Sequence, residues 1–512
     1  MSASWSRRAV LAAAAGAALS GCGSGGSSSP PAGPSGSGGS PVPPSAPSSA
    51  PSSATSSATS ATSSSAAGVP WDRLARTTSG ELVRPGTSAY DRLRRTPNPR
   101  YDDARPLALL EVSSADDVAT GLRFAADHDL PVALRSGGHS YPGWSSGGSP
   151  RALVIDCRDL ADIAWDATSV TIGPGATLGT VYDAVGGRGR AVAGGSCPTV
   201  GLGGLTLGGG VGVLTRAYGL TCDRLTAAEV VLADGRRVTA SADHEPDLFW
   251  ALRGGGGGHL GVTTSLTFDT FAAPTLSTTY LTWPASAAAD VVPAWFDWLH
   301  GAAPELWSTL KLLAGTTHPD GPSLGATVTW VGAEDRFEAA LAPILATRPT
   351  GRSDHRRGFL DAMRAYGGSG AREAFAATSH VAYAPPDAAA VTTLSERVAA
   401  TPPSLKEAGV SIDALGGRVA DVDPGDTAFV HRRARATVQY TATWDGSGAA
   451  RAISFVHGLR TAMTQAWGDH AYVNYADATL RDPGTAYFGS NWGRLQRVRA
   501  NYDPHGFFTQ PQ

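Results

Sequence analysis

Between Gly194 and Gly212, nine of nineteen residues are glycine, and one cysteine, Cys197, stands among them. That density is more than a helix or a strand is expected to carry, because each glycine adds backbone entropy that regular structure must remove. Glycine does let the backbone reach positive φ and approach a ligand closely, so the stretch reads as a cradle of amides for a phosphate or a ring. A second reactive side chain sits in a similar setting in Arg135-Ser136-Gly137-Gly138-His139-Ser140.

Neither stretch is a dinucleotide fingerprint of the Rossmann kind, which needs G-x-G-x-x-G opening a helix after a strand and an acidic residue about 20 positions on. A histidine and a cysteine could also be two ligands of a metal site, but zinc wants two more close ligands at short spacing, and neither stretch has them. No metal is expected.

A third informative segment lies near the end: Tyr472-Val473-Asn474-Tyr475-Ala476-Asp477, then Tyr487-Phe488-Gly489-Ser490-Asn491, then Tyr502-Asp503-Pro504 with Phe507 and Phe508. The three segments together resemble the berberine bridge enzyme-like group of FAD-linked oxidases, within the vanillyl-alcohol oxidase and p-cresol methylhydroxylase (PCMH) fold family. The resemblance covers almost everything after about residue 70. It implies an α+β fold, with a two-part FAD-binding domain and a substrate domain of antiparallel sheet and helices.

By that resemblance FAD is the cofactor, bonded twice, through His139 at the 8α methyl and Cys197 at carbon 6 of the ring. The residues implied beside it are Arg135, Ser136, Gly137, Gly138, Ser140, Thr199, Val200, Gly201, Gly203, Gly204, Gly208, Gly209, Gly261, Val262 and Asn474. The run Gly254 to Gly258 resembles the family's loop beside the ring, although His259 stands where relatives more often carry asparagine.

Oxidation of an alcohol needs a hydride acceptor and a base aligned on one carbon. The resemblance makes Tyr475 the base, with Tyr472 beside it. A phenol of ordinary pKa about 10 is a poor base at neutral pH and needs a partner. Asp413, in Asp413-Ala414-Leu415-Gly416-Gly417, matches the carboxylate of the family's sugar oxidases. Val200 corresponds to a position where valine leaves oxygen access to the ring, which implies dioxygen as acceptor and hydrogen peroxide as product. A carbohydrate or glycosylated metabolite is the expected substrate. Two alternatives stay open: a secondary-metabolite oxidase or cyclase, and a binding lipoprotein without turnover.

Residues 1–22 read as targeting sequence, with Arg7-Arg8, a short apolar stretch and Leu19-Ser20-Gly21-Cys22. They resemble a twin-arginine signal ending in a lipobox, which implies export and a lipid anchor at Cys22 on a bacterial cell membrane; a plain secretory signal is the alternative. Residues 23–68, almost wholly Ser, Pro, Gly, Ala and Thr, cannot bury enough apolar surface to order and read as a disordered tether. The rest divides into an FAD-binding domain over 69–273, a substrate domain over 274–465 and a closing segment over 466–512.

A net charge of −3 gives no electrostatic case for nucleic acid or an anionic membrane surface. Cys157 and Cys222 could pair outside the cytoplasm or serve as small core residues. Local pattern gives strands at Leu107–Val112, Pro131–Leu134, Ala152–Asp156 and Ser169–Ile172, a helix capped by Ser114, and a hairpin turning at Asp234-Gly235. In the substrate region Trp283, Trp295, Trp298, Trp330 and Trp444 read as core rather than as a substrate platform.

Overall fold

The computed structural model describes residues 68–510. The signal, Cys22 and nearly all of the tether lie outside the described residues. Among the described residues no helix is long and apolar enough to cross a membrane.

Strands β1 (Glu81–Val83), β2 (Ala108–Glu111), β3 (Val132–Arg135) and β4 (Leu153–Asp156) form the first sheet in the order β1-β2-β4-β3, with β2 and β3 both parallel to β4. The β2-to-β3 crossover is the helix Ala115–Asp127. Ser114 caps it by accepting the Asp117 amide at 3.1 Å, and Val118, Leu122 and Ala125 are fully buried with Leu110 and Ile155. A loop thus leaves the end of β3 carrying Ser136 to Ser140, at the carboxyl edge of parallel strands, where α/β units usually place ligands.

The second sheet is antiparallel in the order β5-β6-β10-β8-β9, from β5 (Ile163–Asp166), β6 (Ser169–Ile172), β8 (Leu225–Val231), β9 (Arg237–Ser241) and β10 (Val262–Asp269). The β8–β9 hairpin turns with Gly235 at φ 80°. A short ladder joins β7 (Arg190–Ala191) to β11 (Phe271–Ala272).

The third sheet has seven antiparallel strands in the order β15-β12-β14-β13-β17-β18-β16. They are β12 (Thr275–Pro284), β13 (Leu306–Ala314), β14 (Ser323–Trp330), β15 (Gly351–Gly358), β16 (Ala374–Ala382), β17 (Glu407–Ala414) and β18 (Ala436–Trp444). Trp283, Trp295, Trp298, Trp330 and Trp444 are all buried in this half and serve as core. The chain then returns to the first half: Arg494 pairs with Asp247 at 2.8 Å, and Phe508 packs in the core of the first sheet. The result is the α+β architecture that the sequence implies.

Cys157 and Cys222 are both buried free thiols, not a disulfide. Burial pushes both thiols up, so each acts as a small core side chain.

Candidate active site

The two glycine-rich stretches meet backbone to backbone. A Cβ on Gly137 would fall on the Gly201 amide, and one on Gly201 would fall on the Gly137 amide and the Ser136 hydroxyl, so neither position has room for a side chain. This contact brings His139 and Cys197 together on one wall. Thr199 lies between them, its Oγ1 2.9 Å from His139 Nε2 and 3.4 Å from Cys197 Sγ. Burial lowers the His139 pKa to about 4, so the imidazole is neutral at neutral pH and keeps a nucleophilic lone pair.

A cavity of about 290 Å³ opens between this wall and the seven-stranded sheet. It is lined by Arg135, Ser136, Gly137, Gly138, His139, Ser140, Cys197, Val200, Gly201, Gly203, Gly204, Gly261, Val262 and Asn474, and on the opposite side by Asp413, Tyr472 and Tyr475. Three expected cofactor residues do not line it. Thr199 acts from behind through His139, while Gly208 and Gly209 back onto Asn474, Phe429 and Tyr472, where a Cβ would collide or press. Gly256, Gly257 and Gly258 line the cavity, but His259 does not; it is buried with neither ring nitrogen bonded, and burial lowers its pKa to about 3.

Arg135 reaches the cavity wall, yet its guanidinium is engaged elsewhere. It donates to the carbonyls of Ser145, Leu93 and Arg94 and pairs with Asp156 at 3.3 Å. It therefore holds the loop in place rather than offering a fork to a phosphate.

The closing segment ties the two halves together. Tyr472 Oη accepts the Gly210 amide at 2.9 Å and Asn474 Nδ2 at 3.0 Å; Asn474 also donates to the Leu205 carbonyl. Asp477 accepts from the Thr378 hydroxyl on β16. Tyr472 thus braces the closing segment against the glycine-rich stretch while also lining the cavity. The short turn Val473–Tyr475 leaves Tyr475 over the cavity, its ring parallel to that of Tyr141 at 5.6 Å.

The sheet contributes a polar ceiling. Strand residues two apart share a face, so Trp307 and Lys311 of β13, Ser411 and Asp413 of β17 and Gln439 of β18 all line the cavity. Cross-strand register sets Asp413 opposite Thr309 on one side and Thr437 on the other. Burial raises the Asp413 pKa, offset by the hydroxyls of Thr309 and Tyr475 and the Lys311 ammonium. Burial, followed by the Asp413 charge, holds the Tyr475 pKa well above the ordinary phenol value.

Sequence reasoning missed Tyr141, Trp307, Lys311 and Gln439. Gln439 Nε2 donates to the Tyr141 hydroxyl, fixing one aromatic wall. Among the described residues no group of three or more His, Cys, Asp or Glu could hold a metal ion.

Residues 106–241 match the family described as FAD binding domain, and residues 471–512 match the one described as berberine and berberine like. An uncharacterized FAD-linked oxidoreductase, YgaK of Bacillus subtilis, is 31% identical over 436 residues, covering 81% of this chain and 94% of that one. The chain belongs to the berberine bridge enzyme-like family of FAD-linked oxidoreductases.

The chitooligosaccharide oxidase of Gibberella zeae is 30% identical over 80% of this chain and 87% of its own. Among solved structures, a glucooligosaccharide oxidase from Acremonium strictum superposes with a TM-score of 0.78 at 26% identity, over 85% of this chain and 96% of that one; its FAD is 6-S-cysteinyl and 8α-N1-histidyl. FAD suits the residues found here: a wall of glycines whose two stretches meet too closely for a Cβ at Gly137 or Gly201, with a neutral imidazole and a cysteine on it. His139 and Cys197 would hold the ring.

Proposed function

We propose that this enzyme oxidises an alcohol carbon of a carbohydrate or sugar-like substrate to a carbonyl, with dioxygen as acceptor and hydrogen peroxide as product. The observation that carries the reading is the ceiling: a phenol over the cavity, backed by a buried carboxylate and surrounded by hydrogen-bonding side chains. A polyhydroxylated ligand matches that surface better than an apolar one. The names of the relatives support the same substrate class.

FAD, when bound, supplies the hydride acceptor. Tyr475 Oη takes the proton of the substrate hydroxyl while its own proton passes to the Asp413 carboxylate, so no isolated phenolate has to form in a dry site. The Lys311 ammonium favours the ionised carboxylate before that transfer. Tyr141, held by Gln439, and Tyr475 flank the substrate space and exclude water from one side. Val200 lies on the cavity wall, and the family resemblance makes a valine there the support for oxygen as acceptor.

Bicovalent attachment through His139 and Cys197 belongs to the same proposal. It would let the cavity stay open to extended substrates, since the ring would not depend on being enclosed. The amino-terminal sequence supports export of the folded, loaded enzyme and anchoring at Cys22.

Anaerobic mixing with a panel of oligosaccharides tests the reading. At least one should bleach the flavin, and admitting air should yield one peroxide per carbonyl formed. A flavin that no sugar reduces would refute the carbohydrate assignment.

A further inference from the structure

Four buried tryptophans in the substrate half satisfy their indole N–H. Trp283 donates to Thr347 at 2.9 Å, Trp295 to Ser308 at 3.0 Å, and Trp298 and Trp330 to the carbonyls of Ala340 and Ala333 at 2.8 Å. Trp307 does not. It is 2% exposed, it lines the cavity, and its Nε1 has no acceptor among the described residues. Buried donors in folded proteins are nearly always paired, because an unpaired one forfeits its hydration without compensation.

A ceiling acceptor on the neighbouring strand is in the same condition. Asp413 is 7% exposed, lines the same cavity and has one oxygen, Oδ1, with no hydrogen-bond partner among the described residues. Thr309 stands opposite Asp413 across the β13–β17 ladder, and Trp307 lies two residues from Thr309 on the same face, diagonal to the carboxylate. A buried donor and a buried acceptor therefore face one space without being bonded to each other. A ligand with two neighbouring hydroxyls, one accepting and one donating, completes both.

We propose that Trp307 is a specificity-determining residue that donates its indole N–H to a substrate hydroxyl adjacent to the reacting carbon, so that the site selects a vicinal diol. The inference rests on the carbohydrate reading and deepens it. Trp307 takes no part in proton transfer: it acts on which substrate is held and in what orientation, while Tyr475 and Asp413 handle the proton.

The test pairs Trp307→Phe with a series of monodeoxy analogues of whichever sugar reduces the wild-type flavin. Loss of one hydrogen bond should raise KM for the parent sugar about tenfold in the variant. One monodeoxy analogue should show that loss already in the wild type and no further loss in the variant. A penalty in Trp307→Phe that is equal for every analogue would overturn the proposal, leaving water as the partner of the indole.

A second measurement needs no variant to fold. In the flavin-loaded wild type, titration with the unreactive oxidised sugar product should move an indole N–H resonance downfield, and the absence of any such shift would overturn the proposal. Failure of the underlying reading looks different, since then no sugar reduces the wild-type flavin at all.

Discussion

At the scale of single residues, the proposed chemistry turns on two groups that are each unsuited to it alone. Tyr475 is buried beside a carboxylate, and both facts hold its proton in place. Asp413 is raised by the same burial, yet it accepts a proton only from its ionised form. Coupled, the phenol passes on the proton it receives and the carboxylate stores it. Tyr475→Phe should keep its flavin and lose 10²- to 10⁴-fold, roughly, in the rate of anaerobic flavin reduction, the range of a positioned general base. Asp413→Asn should lose comparably and should also flatten the acid limb of the pH profile, since the wild-type rate falls as pH drops toward the Asp413 pKa. Stopped-flow reduction of both variants across pH checks the pair; a Tyr475→Phe enzyme with most of its rate would remove Tyr475 from the mechanism.

At the scale of elements, the parts that sequence displays best are those where one position has one physical use. Ser114 before an amphipathic helix, Asp234-Gly235 between two strands, and glycines flanking His139 and Cys197 each announce a cap, a turn or a close backbone approach. The first two locate elements to within a residue or two. The ceiling was harder to see. Strand β13 is buried at every one of its nine positions, so no polar and apolar alternation tells which residues face the cavity. A lysine in the middle of the run Leu310-Lys311-Leu312-Leu313 was the available signal, because a charge is rarely placed in a core without purpose. Tyr141 was within reach, two residues beyond His139 in the same loop. Trp307 and Gln439 were not, since their place beside Asp413 on one ceiling depends on the register of β13, β17 and β18, which are far apart in sequence. Tyr472 and Arg135 show the converse: a motif residue beside a cofactor wall can serve to brace the wall, and only the partners of its polar atoms reveal this.

At the scale of the whole molecule, the cavity is a joint between two halves that the closing segment ties together through Tyr472, Asn474 and Asp477. The site should therefore be sensitive to anything that loosens the fold. Three buried histidines provide such a sensitivity: His259 and His380 are lowered to about 3, and His431 to about 4, from an ordinary 6.5, in each case mainly by burial. The unfolded chain binds protons at these positions below about pH 6.5 while the folded chain does not, so stability falls as pH falls from there toward the folded values. The urea midpoint should decline between about pH 7 and pH 5, before ordinary carboxylates protonate. A midpoint that stays flat across that range would show that these imidazoles are not held neutral.

In the proposed enzyme two glycine-rich loops, joined at Gly137 and Gly201, present His139 and Cys197 to one flavin. The most direct test of this arrangement is acid precipitation of the purified protein, followed by the visible spectrum of pellet and supernatant. The yellow colour should stay with the pellet, remain there in His139→Ala and Cys197→Ala singly, and be released only when both are replaced. Colour released from the wild-type protein would contradict it.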